Sequence, residues 1–355
     1  MIGIRADANE VVATGHIMRC MTIAGQLKKL GEEVIFFLAD DYGISMLEEK
    51  NVAYVVMHTD WEKPTEELPI LCREIEKRNI HTMLFDSYRI TKEYFNNLRT
   101  KLSDRIRLAY LDDLFEDIYP VDVLINYNAY HARFPYEKFY MDAYHSDKEY
   151  YPVKTKLCLG PAYVPLREEF GKDSVENGCD NSVLLSCGGG DSLQSMYGIL
   201  EKAMRDGRFL NVEFHVIVGR YHQKKELLEK IAEEHKNIVL HQDVRNIAEI
   251  MEENRIAVSA AGTMLYELCA MERPTVFFTT ADNQRYDSDF FAKDERMLFA
   301  GDIRADREAC INHVLDGMHE LLGNCEKCAL MKEKLRRVTD GNGAERIAEA
   351  LLEEI

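Results

Sequence analysis

Short runs of β-branched and other apolar residues alternate with amphipathic stretches along the first half of the chain. Residues 1–5, 34–38, 53–57, 81–85, 106–110 and 121–125 read as strands, and most intervening segments place apolar residues at helical spacing. Strands alternating with helices are the signature of a parallel sheet with helices on its faces. The alternation pauses between Asn126 and Asp180, where Tyr, Pro and Gly are concentrated, as a domain boundary would. It restarts with strands at 182–186, 212–218, 238–240, 256–259 and 275–278, and with helices such as 223–235 and 247–253. The pattern predicts an α/β protein of two Rossmann-like domains, 1–165 and 180–340, facing each other across a cleft. Residues 341–355 form a further helix that could pack back on the first domain. Ligands of open α/β sheets bind beyond the carboxyl ends of the strands, so the cleft is the expected site.

Composition narrows the partners. The chain has 355 residues, 46% hydrophobic and 30% charged, as ordinary globular domains do. Lys and Arg total 44 against 62 Asp and Glu, a net charge of −18 that disfavours nucleic acid and anionic membrane. No stretch approaches the ~18 uninterrupted apolar residues of a membrane span, and the first residues lack a signal-peptide pattern, so no stable membrane insertion and a cytoplasmic location are expected. Nine cysteines at irregular spacing suit a reducing compartment, and the lone CxxC, Cys325 and Cys328, has no second pair to close a zinc site.

Four segments carry candidate chemistry. His16 lies where the loop after the first strand enters a helix, and the partial positive charge of a helix N-terminus favours the neutral imidazole that a general base needs. A capping or packing role suits the same position. Gly188, Gly189 and Gly190 follow a strand and precede a helix, as an anion-binding loop or a tight turn would. Ser259 to Glu267 forms a second such junction. Gly262 and Thr263 there could hold a phosphate, and Glu267, one turn on, could accept the hydroxyls of a ribose; a solvated helix carboxylate is the plainer reading. Asn283 and Gln284 open another helix after Asp282, where their amides could meet sugar or phosphate. Asp86 and the pair Asp112–Asp113 end strands without a third ligand at matching spacing, so no metal site is expected.

The segments IRADANEVVATGHIMRCMTIAGQL, LFDSYRI, LDDL, CLGPAYVPLREEF, LLSCGGGDS, SAAGTMLYELCA and ADNQR occur here in one order over nearly the whole chain. In this the sequence resembles the UDP-2,4-diacetamido-2,4,6-trideoxy-β-L-altropyranose hydrolases of pseudaminic acid biosynthesis, a group also labelled as spore-coat polysaccharide biosynthesis proteins. The GHxMR element is the most specific piece. The GGG and SAAGT…E elements are shared with two-lobed nucleotide-sugar glycosyltransferases, including the lipid II-forming N-acetylglucosaminyltransferase. The resemblance implies a glycosyltransferase-B-like fold. It makes His16 the catalytic base and Arg5, Asp7, Gly15, Arg19, Tyr88, Asn283 and Gln284 substrate-binding residues. Gly188, Gly189, Gly190, Ser259, Gly262, Thr263 and Glu267 become the UDP site. Some members have Asn before the glutamate where this chain has Tyr266. The implied reaction is hydrolysis of a UDP-linked diacetamido sugar with inversion at the anomeric carbon and no metal or redox cofactor. The rival readings are a glycosyltransferase with a UDP-amino sugar donor and a non-catalytic nucleotide-sugar-binding protein, for which a basic imidazole would be superfluous.

Overall fold

Strands buried on both faces read as continuous apolar runs, and that is how the first sheet is built. In the computed structural model its strands are β1 (Ile2–Ala6), β2 (Val34–Leu38), β3 (Ala53–Val56), β4 (Thr82–Asp86), β5 (Arg107–Leu111), β6 (Val123–Asn126) and β7 (Lys156–Leu159). They are parallel, in the order β3-β2-β1-β4-β5-β6-β7. The structure describes residues 1–9, 14–102, 106–171, 181–187, 191, 193–219, 224–244 and 246–353. The chain divides into two compact units, Met1–Arg167 with Asn342–Ile355, and Glu168–Gly341.

Strand order in the first sheet reverses at β1 and β4, the switch point where open α/β sheets bind ligands. Register pairs Ala6 with Asp86, so the residues just past β1 emerge beside the last residue of β4. One face of the sheet is sealed by helices Leu68–Lys77 and Lys92–Lys101, the second laying Tyr94 and Phe95 over Phe85 and Tyr110 of the strands. Those rings meet edge-to-face, the arrangement that their quadrupoles favour. The helix Gly15–Lys29 packs against the helix Gly343–Leu352 from the end of the chain. Gly343 permits that return, because a Cβ there would sit 2.2 Å from the Val164 carbonyl oxygen.

The second sheet contains β8 (Ser182–Ser186), β9 (Glu213–Val218), β10 (Ile238–Gln242), β11 (Ile256–Ala260), β12 (Thr275–Thr279) and β13 (Leu298–Asp302). It too is parallel, ordered β10-β9-β8-β11-β12-β13, with the reversal at β8 and β11. Two edge strands escape the hydrophobic pattern. β7 is four residues long and only partly buried, and β13 contains Gly301 at φ +113° and ends on an acid. The Tyr- and Pro-rich stretch expected as a domain boundary holds, within the first unit, a helix, Tyr136–Ser146, with Tyr136 and Tyr140 buried.

Candidate functional site

The site is best built from Asp86. As the last residue of β4 it is fully buried, and a buried carboxylate needs donors. It has them from the neighbouring helix Gly15–Lys29. Arg19 forks onto it, Nε donating to Oδ2 at 2.7 Å and Nη2 to Oδ1 at 2.5 Å, while the Cys20 thiol reaches Oδ2 at 3.4 Å. His16, one turn earlier, places Nδ1 2.5 Å from Asp86 Oδ1. Burial alone would raise the Asp86 carboxyl, but the Arg19 and His16 contacts outweigh it and hold it well below the usual carboxylate range. A carboxylate at Nδ1 accepts its proton and assigns the ring the tautomer with a bare Nε2, which is how a general base is oriented. His16 is 4% exposed, and the edge of the Tyr88 ring meets it with centroids 4.5 Å apart.

Next to this array lies a second, more deeply set one. Arg5, in β1, has no exposed surface; Nε and Nη2 hold both oxygens of Glu67 at 2.8 and 2.9 Å, and Nη1 donates to Asp7 at 2.5 Å. Tyr94 adds a hydroxyl to Glu67 at 2.8 Å. Arg5 and Arg19, both expected as substrate contacts, are held by carboxylates of the protein itself. Arg5 supports Asp7 from beneath, because its guanidinium is enclosed by carboxylates. Arg19 is a brace, with Nη1 donating to Asp113 at 2.9 Å and to the Tyr127 hydroxyl at 2.6 Å besides its fork on Asp86. Gly15 opens the helix at an exposed position with nothing near the place a Cβ would take, and Asp7 is nearly buried. Tyr88 is 43% exposed and donates to Asp113 at 3.2 Å; burial first, then the Asp113 charge, pushes its phenol well above the ordinary value.

The second unit carries the expected nucleotide residues. Gly188, Gly189 and Gly190 lie outside the described residues, as does the side chain of Asn283. The helix they lead to, Ser195–Met204, has its first amides taken by Asp191, which accepts from Ser195 N and Met196 N at 2.8 Å each. Gly262 and Thr263 precede the helix Met264–Ala270, and Glu267 lies one turn in, its amide 3.3 Å from the Thr263 carbonyl. Gly262 has φ +156° and open space at the Cβ position, so backbone can be approached closely there. Ser259 is fully buried within β11 and its hydroxyl donates to the Ala260 carbonyl at 2.8 Å. Gln284 turns its amide oxygen inward to Thr280 N at 2.7 Å and Ala281 N at 3.2 Å, so that oxygen serves the loop. Tyr266 is buried and donates to Asp287 at 2.7 Å, holding two helices together.

Sequence reasoning passed over Asp86 and Asp113 as site residues and weighed them only as metal ligands. The available signal was strand order: once β1 and β4 are neighbours, an acid ending β4 must meet the helix that follows β1. Among the described residues no group of three or more His, Cys, Asp or Glu could hold a metal ion, and no helix is long and apolar enough to cross a membrane.

Comparison with known proteins gives distant relatives and a clear fold. No family model matches the chain. An uncharacterized protein of Methanocaldococcus jannaschii is 22% identical over 363 residues, covering 96% of this chain and 70% of the relative. The UDP-2,4-diacetamido-2,4,6-trideoxy-beta-L-altropyranose hydrolase of Campylobacter jejuni is 23% identical over 289 residues, 81% of this chain and 95% of the relative. The spore coat polysaccharide biosynthesis protein SpsG of Bacillus subtilis is 22% identical over 303 residues, 84% of this chain and 83% of the relative. Among solved structures, MurG of Acinetobacter baumannii superposes with a TM-score of 0.65 at 13% identity, over 99% of this chain and 98% of its own. The spinosyn rhamnosyltransferase SpnG complexed with thymidine diphosphate gives a TM-score of 0.63 at 10% identity, over 98% of this chain and 100% of its own. Two parallel-sheet α/β domains, of seven and six strands, thus share the glycosyltransferase-B fold of these enzymes.

Proposed function

We propose that the protein hydrolyses a UDP-linked 2,4-diacetamido-2,4,6-trideoxy sugar to UDP and free sugar, in the cytoplasm, as a step of nonulosonic acid and surface polysaccharide biosynthesis. The observation that carries the reading is the clamp on His16: Asp86 takes Nδ1 at 2.5 Å and is itself gripped by Arg19, so Nε2 is the basic atom. Nε2 removes a proton from water, and the water oxygen forms a bond to the anomeric carbon from the face opposite the nucleotide. The bond between that carbon and the β-phosphate oxygen breaks, its electron pair leaves with UDP, and the configuration inverts. His16 then returns its proton to solvent. UDP is already a good leaving group, so the chemistry asks for one oriented base and for donors on the diphosphate, and no step requires a metal. Gly262, Thr263 and the amides of the Gly188–Gly190 loop are the proposed donors, and Glu267 the acceptor for the ribose. Tyr88, Asp7 and Gly15 face the sugar in this reading. The hydrolase from Campylobacter jejuni supports it at the level of a distant relative.

The solved neighbours favour a second reading, in which an alcohol replaces water as the nucleophile and the protein is a glycosyltransferase. One experiment separates the two and a third possibility, attack at phosphorus. UDP-diacetamido sugars are incubated in ¹⁸O-water with EDTA and no acceptor. Label in the free sugar, unlabelled UDP and inversion visible by NMR before mutarotation are expected. Label in a nucleotide or sugar phosphate would reject base catalysis at carbon, and turnover only with an added acceptor would establish the transferase.

A further inference from the structure

We infer that Asp113 is a positioning residue for His16, acting through Arg19 and Tyr88. The inference rests on His16 being the base but adds a residue that neither the sequence pattern nor the reaction requires. Asp112 and Asp113 follow β5 side by side, and the fold uses them differently. Asp112 turns inward, accepting from Leu114 N, Phe115 N and the Tyr136 hydroxyl at 3.1, 2.9 and 2.8 Å. Asp113 turns toward His16. Its Oδ2 accepts from Arg19 Nη1 at 2.9 Å and the Tyr88 hydroxyl at 3.2 Å, and its Oδ1 from Asn128 Nδ2 at 3.0 Å. The Tyr130 hydroxyl donates to its carbonyl at 3.1 Å.

One carboxylate thereby fixes both the brace behind His16 and the ring beside it. The groups facing His16 are Asp86 from β4, Arg19 from its own helix and Tyr88 from the loop after β4; the Cys20 thiol lies on Asp86, and Asp113 and Tyr127 lie around Arg19. Two carboxylates share one guanidinium in this set, so the array carries an excess negative charge that favours an imidazolium once proton transfer has occurred. Without Asp113 the charges of Asp86 and Arg19 cancel. An imidazolium formed on proton transfer to His16 then loses that support.

The test is Asp113→Asn, which keeps the shape and an acceptor for Tyr88 while deleting the charge. With ¹³C-histidine-labelled full-length protein, the His16 resonance, assigned by its loss in His16→Gln, is titrated in the absence of substrate. Its midpoint is expected to move to lower pH by at least about half a unit, the size of a nearby charge at high effective dielectric. The acid limb of kcat/KM for UDP-sugar hydrolysis is expected to move the same way, and Asp113→Glu to restore both. A folded Asp113→Asn with an unmoved His16 midpoint would overturn the inference. Should that variant not fold, Asp113→Ser deletes the same charge and is read identically. The two readouts also part company usefully. A wild-type protein that turns over no UDP-sugar refutes the proposed hydrolase, while the NMR titration still decides the role of Asp113.

Discussion

Replacing Asp86 by Asn leaves the volume at the end of β4 unchanged and removes the charge on which His16 and Arg19 converge. Two losses follow. The first is chemical: an amide can present its NH₂ to the imidazole, turning Nδ1 into the acceptor and moving the proton to Nε2, where the base should be bare. A base in the wrong tautomer is inactive, and kcat should fall by about 10²–10⁴-fold with KM for the UDP-sugar changed by only a few-fold. The second loss is structural. Arg19 keeps Asp113 at 2.9 Å and Tyr127 at 2.6 Å, so it is not orphaned, and the destabilisation should fall toward the lower end of the about 3–5 kcal/mol typical of a broken buried pair. The linkage sign is definite. The Asp86 carboxyl is depressed in the folded state, so its stabilisation is present above the unfolded value near 3.8 and is lost as pH falls through the lower folded value. Wild-type and variant stabilities, from urea titrations monitored by circular dichroism, should therefore differ at neutral pH, and the difference should begin to narrow only as pH falls below about 4. Turnover within threefold of wild type in a folded Asp86→Asn protein would refute the orientation of His16 argued from the geometry.

His16→Ala should lower kcat at least about 10²-fold while calorimetry finds UDP affinity nearly unchanged, because the nucleotide contacts are assigned to the other unit; near-normal turnover would remove His16 as the base. Glu267→Gln deletes the charge-assisted bonds proposed to the ribose and should weaken UDP binding at least about tenfold, whereas equal affinity would make Glu267 a helix-surface acid. His241 and His215 face each other with Nε2 and Nδ1 2.9 Å apart, and burial, then the His215 neighbour, lowers the His241 value. That contribution to stability is present above about pH 6.5 and is lost as pH falls through the lower folded value. His241→Gln should consequently flatten the drop in Tm between pH 7.5 and pH 5; an identical drop would dissociate the pair from acid sensitivity.

Which features were legible in the chain follows from their physics. β1, β2 and β4 are buried on both faces and announce themselves as apolar runs, and the restart at β8 marks the second sheet. β7 begins on a lysine and β13 contains Gly301 and ends on Asp302, so neither offers the apolar run that made the other edge strands, β3 and β10, legible. His16 was legible because a glycine and a polar turn set it at a helix start after a strand. Its partner was not, since Asp86 lies 70 residues away and only the β1–β4 register makes them neighbours. Arg5, Arg19 and Ser259 were legible as polar residues in these segments, but their burial and their partners were not, because burial is a property of packing.

The charge balance at the carboxyl edge of the first sheet bears on what kind of catalyst this is. Arg5 and Arg19 are surrounded by four carboxylates, those of Asp7, Glu67, Asp86 and Asp113. Burying such an excess of negative charge is costly in the resting protein, and the cost is relieved when a proton arrives on His16. The array is therefore more complementary to the state in which the nucleophile has lost its proton than to the state before, which is the condition for catalysis rather than mere binding. The same base could serve water or an alcohol. The hydrolase and transferase readings then differ in one physical respect, whether the place in front of Nε2 admits only a water molecule or the hydroxyl of an acceptor.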